Sequence, residues 1–233
     1  MPDTSPDAQN LKTDAASPVR HRTGILPSQA IRALINSGEI AADVEILDDQ
    51  IQPASLDLRL GGVAHRVQAS FLPGQNDTVA DRLTKLGLHQ LDLSDGAVLE
   101  KGCVYVVPLI ERLALSAGIS GIANPKSSTG RLDIFTRLIT DNGVEFDRVR
   151  GEYCGPLYAE ISPRTFSVIV RTGSRLSQLR LKRGNFTYSD RALHRLNEKV
   201  QLIDSEPDSA LIKEGIPFTV DLQGDPAPGL VGF

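Results

Sequence analysis

Eight consecutive residues, Asn124-Pro125-Lys126-Ser127-Ser128-Thr129-Gly130-Arg131, gather hydroxyls, a glycine and two cations directly after a proline. Small hydroxyl residues beside glycine expose backbone N–H groups that can line a phosphate site. Lys126 and Arg131 can supply countercharge, and the arginine fork can do so through two parallel hydrogen bonds. The same composition also suits an ordinary polar turn. It is not a P-loop, because Pro125 stands where that motif has its second glycine. A second stretch, Gly155-Pro156-Leu157-Tyr158-Ala159-Glu160-Ile161, sets a carboxylate in an apolar strand. Period 2 puts Tyr158 and Glu160 on one face, and Leu157, Ala159 and Ile161 on the other. If the Tyr158 face lines a cleft, Glu160 is placed to take and give protons. On an open antiparallel sheet it is simply a solvent-facing glutamate. Two cysteines and four histidines leave few soft ligands, and C-x-x-C, H-x-E and H-E-x-x-H are all missing. G-x-S-x-G and G-x-G-x-x-G are missing too. Catalysis must then rest on carboxylates, hydroxyls, arginines and backbone groups.

The elements that must position these residues are mostly short strands. Ser55–Leu60 alternates and is followed by Gly61-Gly62 as a turn. Further runs fall at Leu91–Leu93, Val104–Val107, Leu113–Leu115, Arg137–Thr140, Leu157–Ile161, Phe166–Val170 and Leu176–Leu181. Gly, Pro, Asn and Ser separate them at short spacing, which predicts an all-β barrel or jelly roll. One or two short helices accompany the strands. Ile31, Leu34 and Ile35 form a helical stripe between a Ser28 cap and Gly38, and Val79, Leu83 and Leu86 form another over Thr78–Leu86. Residues 1–23 read as a flexible polar tail and 24–184 as the β domain. Residues 185–233 read as a linker and the start of a second β region, with a weak helical stretch near Arg191–Lys199 and strands at Ile216–Leu222 and from Gly229. Ending on a strand just begun suits the front part of a longer protein.

The chain has 233 residues, 40% hydrophobic and 23% charged, which are globular values. With 25 basic and 29 acidic residues, the net charge is −4, so no general attraction to nucleic acid or anionic lipid is expected. A basic, acid-free segment does run from Arg164 to Arg183, but aromatics are only 5%, too few for base-stacking platforms. It reads instead as edge-strand protection or ion pairing. No apolar run approaches a membrane span, and the N-terminus lacks the apolar region of a secretory signal. Two distant cysteines, Cys103 and Cys154, fit a reducing cytoplasm.

Four segments together resemble the dCTP deaminase family. Ile51-Gln52-Pro53-Ala54-Ser55-Leu56-Asp57-Leu58-Arg59-Leu60-Gly61 looks like its early strand motif, and Lys126–Arg131 like its R-S-S-x-x-R segment. Gly155–Ile161 is similar to its G-x-x-x-x-E strand, and Val168–Leu181, with Gly173 and Gln178, to its closing strand pair. The resemblance covers about residues 25–184 and implies the dUTPase fold, a distorted jelly roll assembled as trimers or higher homo-oligomers. It also implies zinc-independent hydrolysis of dCTP to dUTP and ammonia, supplying dUTP for pyrimidine deoxynucleotide metabolism. Magnesium arrives with the triphosphate rather than on a protein site. Glu160 would be the general base and acid. Ser127 would hold the water or the phosphates, and Arg131 would orient Glu160 and stabilise developing charge. The substrate would further meet Lys126, Ser128, Thr129, Gly130, Asp147, Tyr158, Ala159 and Gln178. Family sites form between subunits, so these residues need not share one pocket. Lys126 departs from the usual Arg, and Arg131 to Glu160 is longer than usual by several residues. Matching Asp147 to the family's sugar-binding aspartate needs a gap before Gly155. The triphosphate lid is not recognisable after Gly184. Some members look like tandem versions of this fold. A dUTPase, or a bifunctional enzyme making dUMP, is the nearest alternative; Gly151–Gly155, with Tyr153, faintly resembles the dUTPase tyrosine segment. A non-catalytic nucleotide-binding or oligomerisation half of a tandem protein is the alternative of another class. Ser127, Arg131 and Glu160 standing together argue against a decayed site.

Overall fold

The structure is a computed structural model, and it describes residues 23–184, 189–203, 211–217 and 224. The chain divides into two compact units, residues 1–184 and 185–233. All but the last residue of the tail expected over 1–23 lies outside the described residues, as does most of the region after 203.

In the first unit the strands are β1 (Gly24–Ile25), β2 (Ile40–Ala42), β3 (Ile51–Gln52), β4 (Ser55–Leu58), β5 (Val63–Val67), β6 (Gly87–Asp92) and β7 (Ala97–Leu99). They continue as β8 (Val104–Ala114), β9 (Ile119–Pro125), β10 (Ile134–Thr140), β11 (Arg148–Val149), β12 (Cys154–Pro163), β13 (Val168–Val170) and β14 (Ser177–Arg183). Helices α1 (Ser28–Asn36), α2 (Val79–Leu86) and α3 (Ser127–Arg131) lie between them. One sheet runs β11-β9-β14-β4-β3, with β1 on β14; a second runs β10-β12-β8-β5-β6, with β2 on β8. The small pair β13–β7 stands apart, and the pairings are antiparallel.

Alternation sets what each sheet buries. Leu56, Leu58, Leu179 and Leu181 of the first sheet meet Tyr105, Val107, Leu138, Leu157, Ala159 and Ile161 of the second in one core. The odd-and-even partners Val106, Ile139 and Tyr158 point the other way. With Val67, Phe71 and Val79 they form a second cluster on the outer face of the second sheet, packed by Leu83 and Leu86 of α2. Helix α2 is started by a capping box: Thr78 accepts from Asp81 N–H, and the Asp81 carboxylate accepts from Thr78 N–H.

A buried ion pair joins β8 to the chain just after β4. Glu111 is fully buried; Oε1 accepts from Arg59 Nε at 2.7 Å and Gln50 Nε2 at 2.9 Å, and Oε2 accepts from Arg59 N–H at 2.8 Å. Both oxygens are satisfied, as a buried charge requires.

The structure differs from the sequence expectation in instructive ways. Val104–Val107 and the run beginning at Leu113 belong to one eleven-residue strand, which passes through Pro108 and ends at Ala114. Proline is tolerated there because β5 pairing stops at Val106 and β2 pairing starts at Glu111. The gap is bridged by Gly61 N–H donating to the Pro108 carbonyl at 2.8 Å. A Cβ on Gly61 would lie 2.7 Å from that oxygen, so only glycine fits this approach. Strand β9 was not anticipated, because Gly121 interrupts its apolar pattern; a Cβ there would sit 2.9 Å from Leu179. Helix α1 is capped by Pro27, whose carbonyl takes the first helical bonds, and Ser28 is already helical. Four α-helices occur among the described residues: the two expected in the β domain, one more at Ser127–Arg131, and one over the helical stretch expected near Arg191–Lys199. The polar turn at 127–131 winds into a single helical turn, and the fourth is in the second unit.

That fourth helix, α4 (Asp190–Val200), starts at Ser189, whose hydroxyl accepts from Ala192 N–H. Buried Asn197 closes its end by accepting from Leu202 and Ile203 N–H. Residues 218–222 and 229–233, where further strands were expected, lie outside the described residues. No helix among the described residues is long and apolar enough to cross a membrane.

Candidate active site

Glu160 stands at the centre of β12, on the outer face of the second sheet, and is 1% exposed. Its cross-strand neighbours are Arg137 on β10 and Val106 on β8. Arg137 donates to Glu160 Oε1 from Nε at 3.1 Å and from Nη2 at 2.6 Å. Nη2 also donates to Ser70 Oγ at 2.8 Å. The guanidinium carbon lies 3.4 Å from the Phe146 ring centre and 4.8 Å from that of Phe135, so two aromatic rings hold the fork. Glu160 Oε2 has no hydrogen-bond partner, and neither does the buried Ser162 Oγ, two residues on along the same face. Buried polar atoms without partners are uncommon in folded proteins.

β10 is an edge strand, and the segment Phe146-Asp147 runs along its free side. Leu138 N–H donates to Asp147 Oδ1 at 2.8 Å, and Asp147 N–H donates to the Leu138 carbonyl at 2.9 Å. Asp147 sits at φ 60°, a conformation in which its short polar side chain can bond locally. Burial pushes its carboxyl up; the Leu138 amide and the Arg137 charge oppose this, and the Glu160 charge adds to it. Asp147 therefore shares an electrostatic neighbourhood with Arg137 and Glu160. Tyr158 projects from the same face of β12. Burial, helped by the Asp141 charge, pushes its phenol up to about 12. Ala159 points oppositely, into the main core, and both backbone sides are paired with β10 and β8. Its side chain is therefore removed from any contact with a ligand on the Glu160 face.

The other expected residues gather on the first sheet. Asp57, Gln178 and Asn124 are in register across β4, β14 and β9. Asp57 is 1% exposed; Lys126 Nζ donates to its Oδ2, and Oδ1 has no partner. Gln178 accepts from Ser55 Oγ at 3.0 Å. Lys126 N–H donates to the Leu176 carbonyl, which ties the start of α3 to this sheet. Thr129 is buried, while Ser127, Ser128, Gly130 and Arg131 are exposed. Among the described residues, no hydrogen bond or ion pair links Ser127 or Arg131 to Glu160. In this chain it is Arg137, not Arg131, that holds the carboxylate. Sequence reasoning passed over Arg137 and Asp57, and the alternation of Ile134–Thr140 opposite the Glu160 strand was the one signal for Arg137.

Tyr153 is buried in the main core, where its hydroxyl donates to the Pro156 carbonyl at 2.5 Å and accepts from Asp141 N–H at 3.1 Å. A cleft of about 430 Å³ opens at the far end of β10, lined by Ser120, Thr140, Asp141, Glu145, Arg148 and Lys182 among others. Neither Glu160 nor Arg137 lines it. No group of three His, Cys, Asp or Glu side chains able to hold a metal occurs among the described residues.

These features define a mainly β protein with a buried, arginine-held glutamate on one sheet face. The family model of the 2′-deoxycytidine 5′-triphosphate deaminase N-terminal domain matches residues 22–185, and the chain belongs to that family. A crystal structure of 2′-deoxycytidine 5′-triphosphate deaminase from Agrobacterium tumefaciens is 53% identical, with a TM-score of 0.78. The match covers 87% of this chain and 58% of that one, so the chain spans less than two thirds of its relative. The EIAV dUTPase is 13% identical over 40% of this chain and 72% of its own, with a TM-score of 0.32. A dUTPase of Staphylococcus bacteriophage 80alpha is 16% identical over 40% and 74%, with a TM-score of 0.30. Likenesses that weak add nothing about the site. A comparison with the curated proteins finds no match. The fold is the mainly β, dUTPase-like one implied by the four sequence segments.

An unfolded tyrosine ionises near pH 10, whereas folded Tyr158 stays neutral to about 12. Between these values the unfolded chain binds fewer protons, so stability falls as pH rises. Urea unfolding from pH 9 to 11.5 is expected to show a shallower decline for Tyr158→Phe than for the wild type. Parallel declines would mean that the phenol is not shielded.

Proposed function

We propose that this chain carries the deaminating site of a dCTP deaminase, converting dCTP and water to dUTP and ammonia. The observation that carries the reading is the buried, half-satisfied carboxylate: Glu160 Oε1 is held by Arg137, and Oε2 is unpartnered. A fixed carboxylate with one unpaired oxygen is suited to general acid–base transfer. Oε2 would take a proton from water as the water oxygen bonds to cytosine C4. The same proton would pass to N3, and a later transfer would help the amino group leave as ammonia. In this reading the protons are moved by a carboxylate, without zinc. Magnesium enters as part of the dCTP complex and keeps most of its own waters.

Asp147 and Tyr158, beside Glu160, are assigned to the nucleoside end. Lys126, the Ser127–Gly130 segment and Arg131 are assigned to the phosphates and to charge developing at the ring. Glu160 faces outward from the second sheet, while Lys126 is bound to Asp57 on the first. A site using both sets is therefore proposed to form between copies of the chain in a closed trimer or larger homo-oligomer. The placing of Tyr153 counts against the dUTPase alternative, because its hydroxyl is already engaged in the core rather than offered to a sugar. The proposed setting is the cytoplasm, with a nucleotide as the only partner besides further copies of this chain.

Incubation with dCTP and magnesium, followed by nucleotide separation and ammonia assay, is expected to give dUTP and ammonia in equal amounts. dUMP would support a bifunctional enzyme, and unchanged dCTP would sink the deaminase reading. The shared site has its own check. Glu160→Gln and Arg131→Ala chains, each nearly inactive, should regain activity when unfolded together and refolded as mixed oligomers. No recovery in mixed oligomers would place all the chemistry within one chain.

A further inference from the structure

We infer that Arg137 is a positioning residue that makes Glu160 Oε2 the single proton-exchanging atom. This rests on the deamination reading above and deepens it. A free carboxylate has two equivalent oxygens and rotates between them. Here both donors, Nε and Nη2, converge on Oε1 at 3.1 and 2.6 Å, and Oε2 is left bare. The two oxygens are thereby made unequal before substrate arrives.

The arginine is itself held from several sides. Phe146 lies at 3.4 Å and Phe135 at 4.8 Å from its guanidinium carbon, and Ser70 accepts from Nη2. Ser70 belongs to the segment that leads into α2, and Phe146 adjoins Asp147, which is pinned to β10 by two hydrogen bonds with Leu138, one through its side-chain carboxylate and one through its backbone N–H. Three separate chain segments thus meet on this one side chain. A ligand that presses on the Phe146-Asp147 segment would be felt at the carboxylate through the stacked fork. A lysine here would keep the charge but contact the carboxylate through one rotating ammonium, and it would lose the planar stacking. Geometry of the carboxylate, rather than nucleotide affinity, should then suffer.

The test uses Arg137→Lys and Arg137→Ala in the full chain, with kcat, KM and thermal unfolding measured for each. Arg137→Lys is expected to lower kcat roughly tenfold or more, while KM for dCTP stays within about threefold. Arg137→Ala should lose about 100-fold in kcat, and added guanidinium at millimolar concentration should restore part of it by re-entering between the two rings. Rescue without any change in melting temperature separates positioning from a merely structural role. If Arg137→Ala does not fold, Arg137→Lys decides alone. Unchanged kcat in Arg137→Lys, or a loss confined to KM, overturns the inference. A wild-type chain that releases no ammonia from dCTP is a different failure, seen before any variant is made, and it overturns the deaminase reading on which the inference stands.

Discussion

A carboxylate with 1% exposure needs a polar partner, and the outer face of the second sheet is organised around that requirement. Removing an ion of this size from water costs several kcal/mol even after relaxation. Glu160 is compensated by Arg137 directly across the β10–β12 ladder. The arginine in turn needs its own support, which Phe135, Phe146 and Ser70 provide. Phe146 can reach it only because Asp147 ties its segment to the free edge of β10. The edge strand is thus covered and the charge pair enclosed by the same short stretch of chain.

The sandwich imposes the other constraint. One core is shared by the inner faces of both sheets, so polar groups are driven outward on both sides. Glu160 is carried by one outer face, and the Asp57–Lys126 pair with Gln178 by the other. Both carboxylates are buried, both are held at one oxygen, and both leave the second oxygen unpaired. Unsatisfied groups of this kind are costly in a structure that only has to be stable. The proposed division of labour, base chemistry on one face and phosphate contact on the other, follows from that symmetry of need.

Much of the fold was legible in the residues themselves. The β class, the α2 stripe with its Thr78 start, and the segregation of Tyr158 and Glu160 from Leu157 and Ile161 all follow from local periodicity. What escaped was non-local. Arg137 becomes the partner of Glu160 through strand register, which no single stretch of sequence encodes. Arg59 and Glu111 meet across 52 positions, and each alone reads as a surface charge. Strand β9 was hidden by Gly121, which is small because Leu179 packs against it, and β8 by Pro108, which is tolerated at a gap in pairing. Ala159 was grouped with its neighbours as a substrate contact, yet period 2 already turned its side chain toward the core.

The central claim is that Glu160 moves the protons. Glu160→Gln keeps the shape and can still accept from Arg137, but it cannot take a proton from water. Measured side by side, dCTP affinity should stay within a few-fold of wild type, while the rate of ammonia release should fall by about 10²–10⁴-fold, the usual cost of losing a general acid–base group. Ammonia release near the wild-type rate from a Glu160→Gln chain that binds dCTP normally would contradict the account.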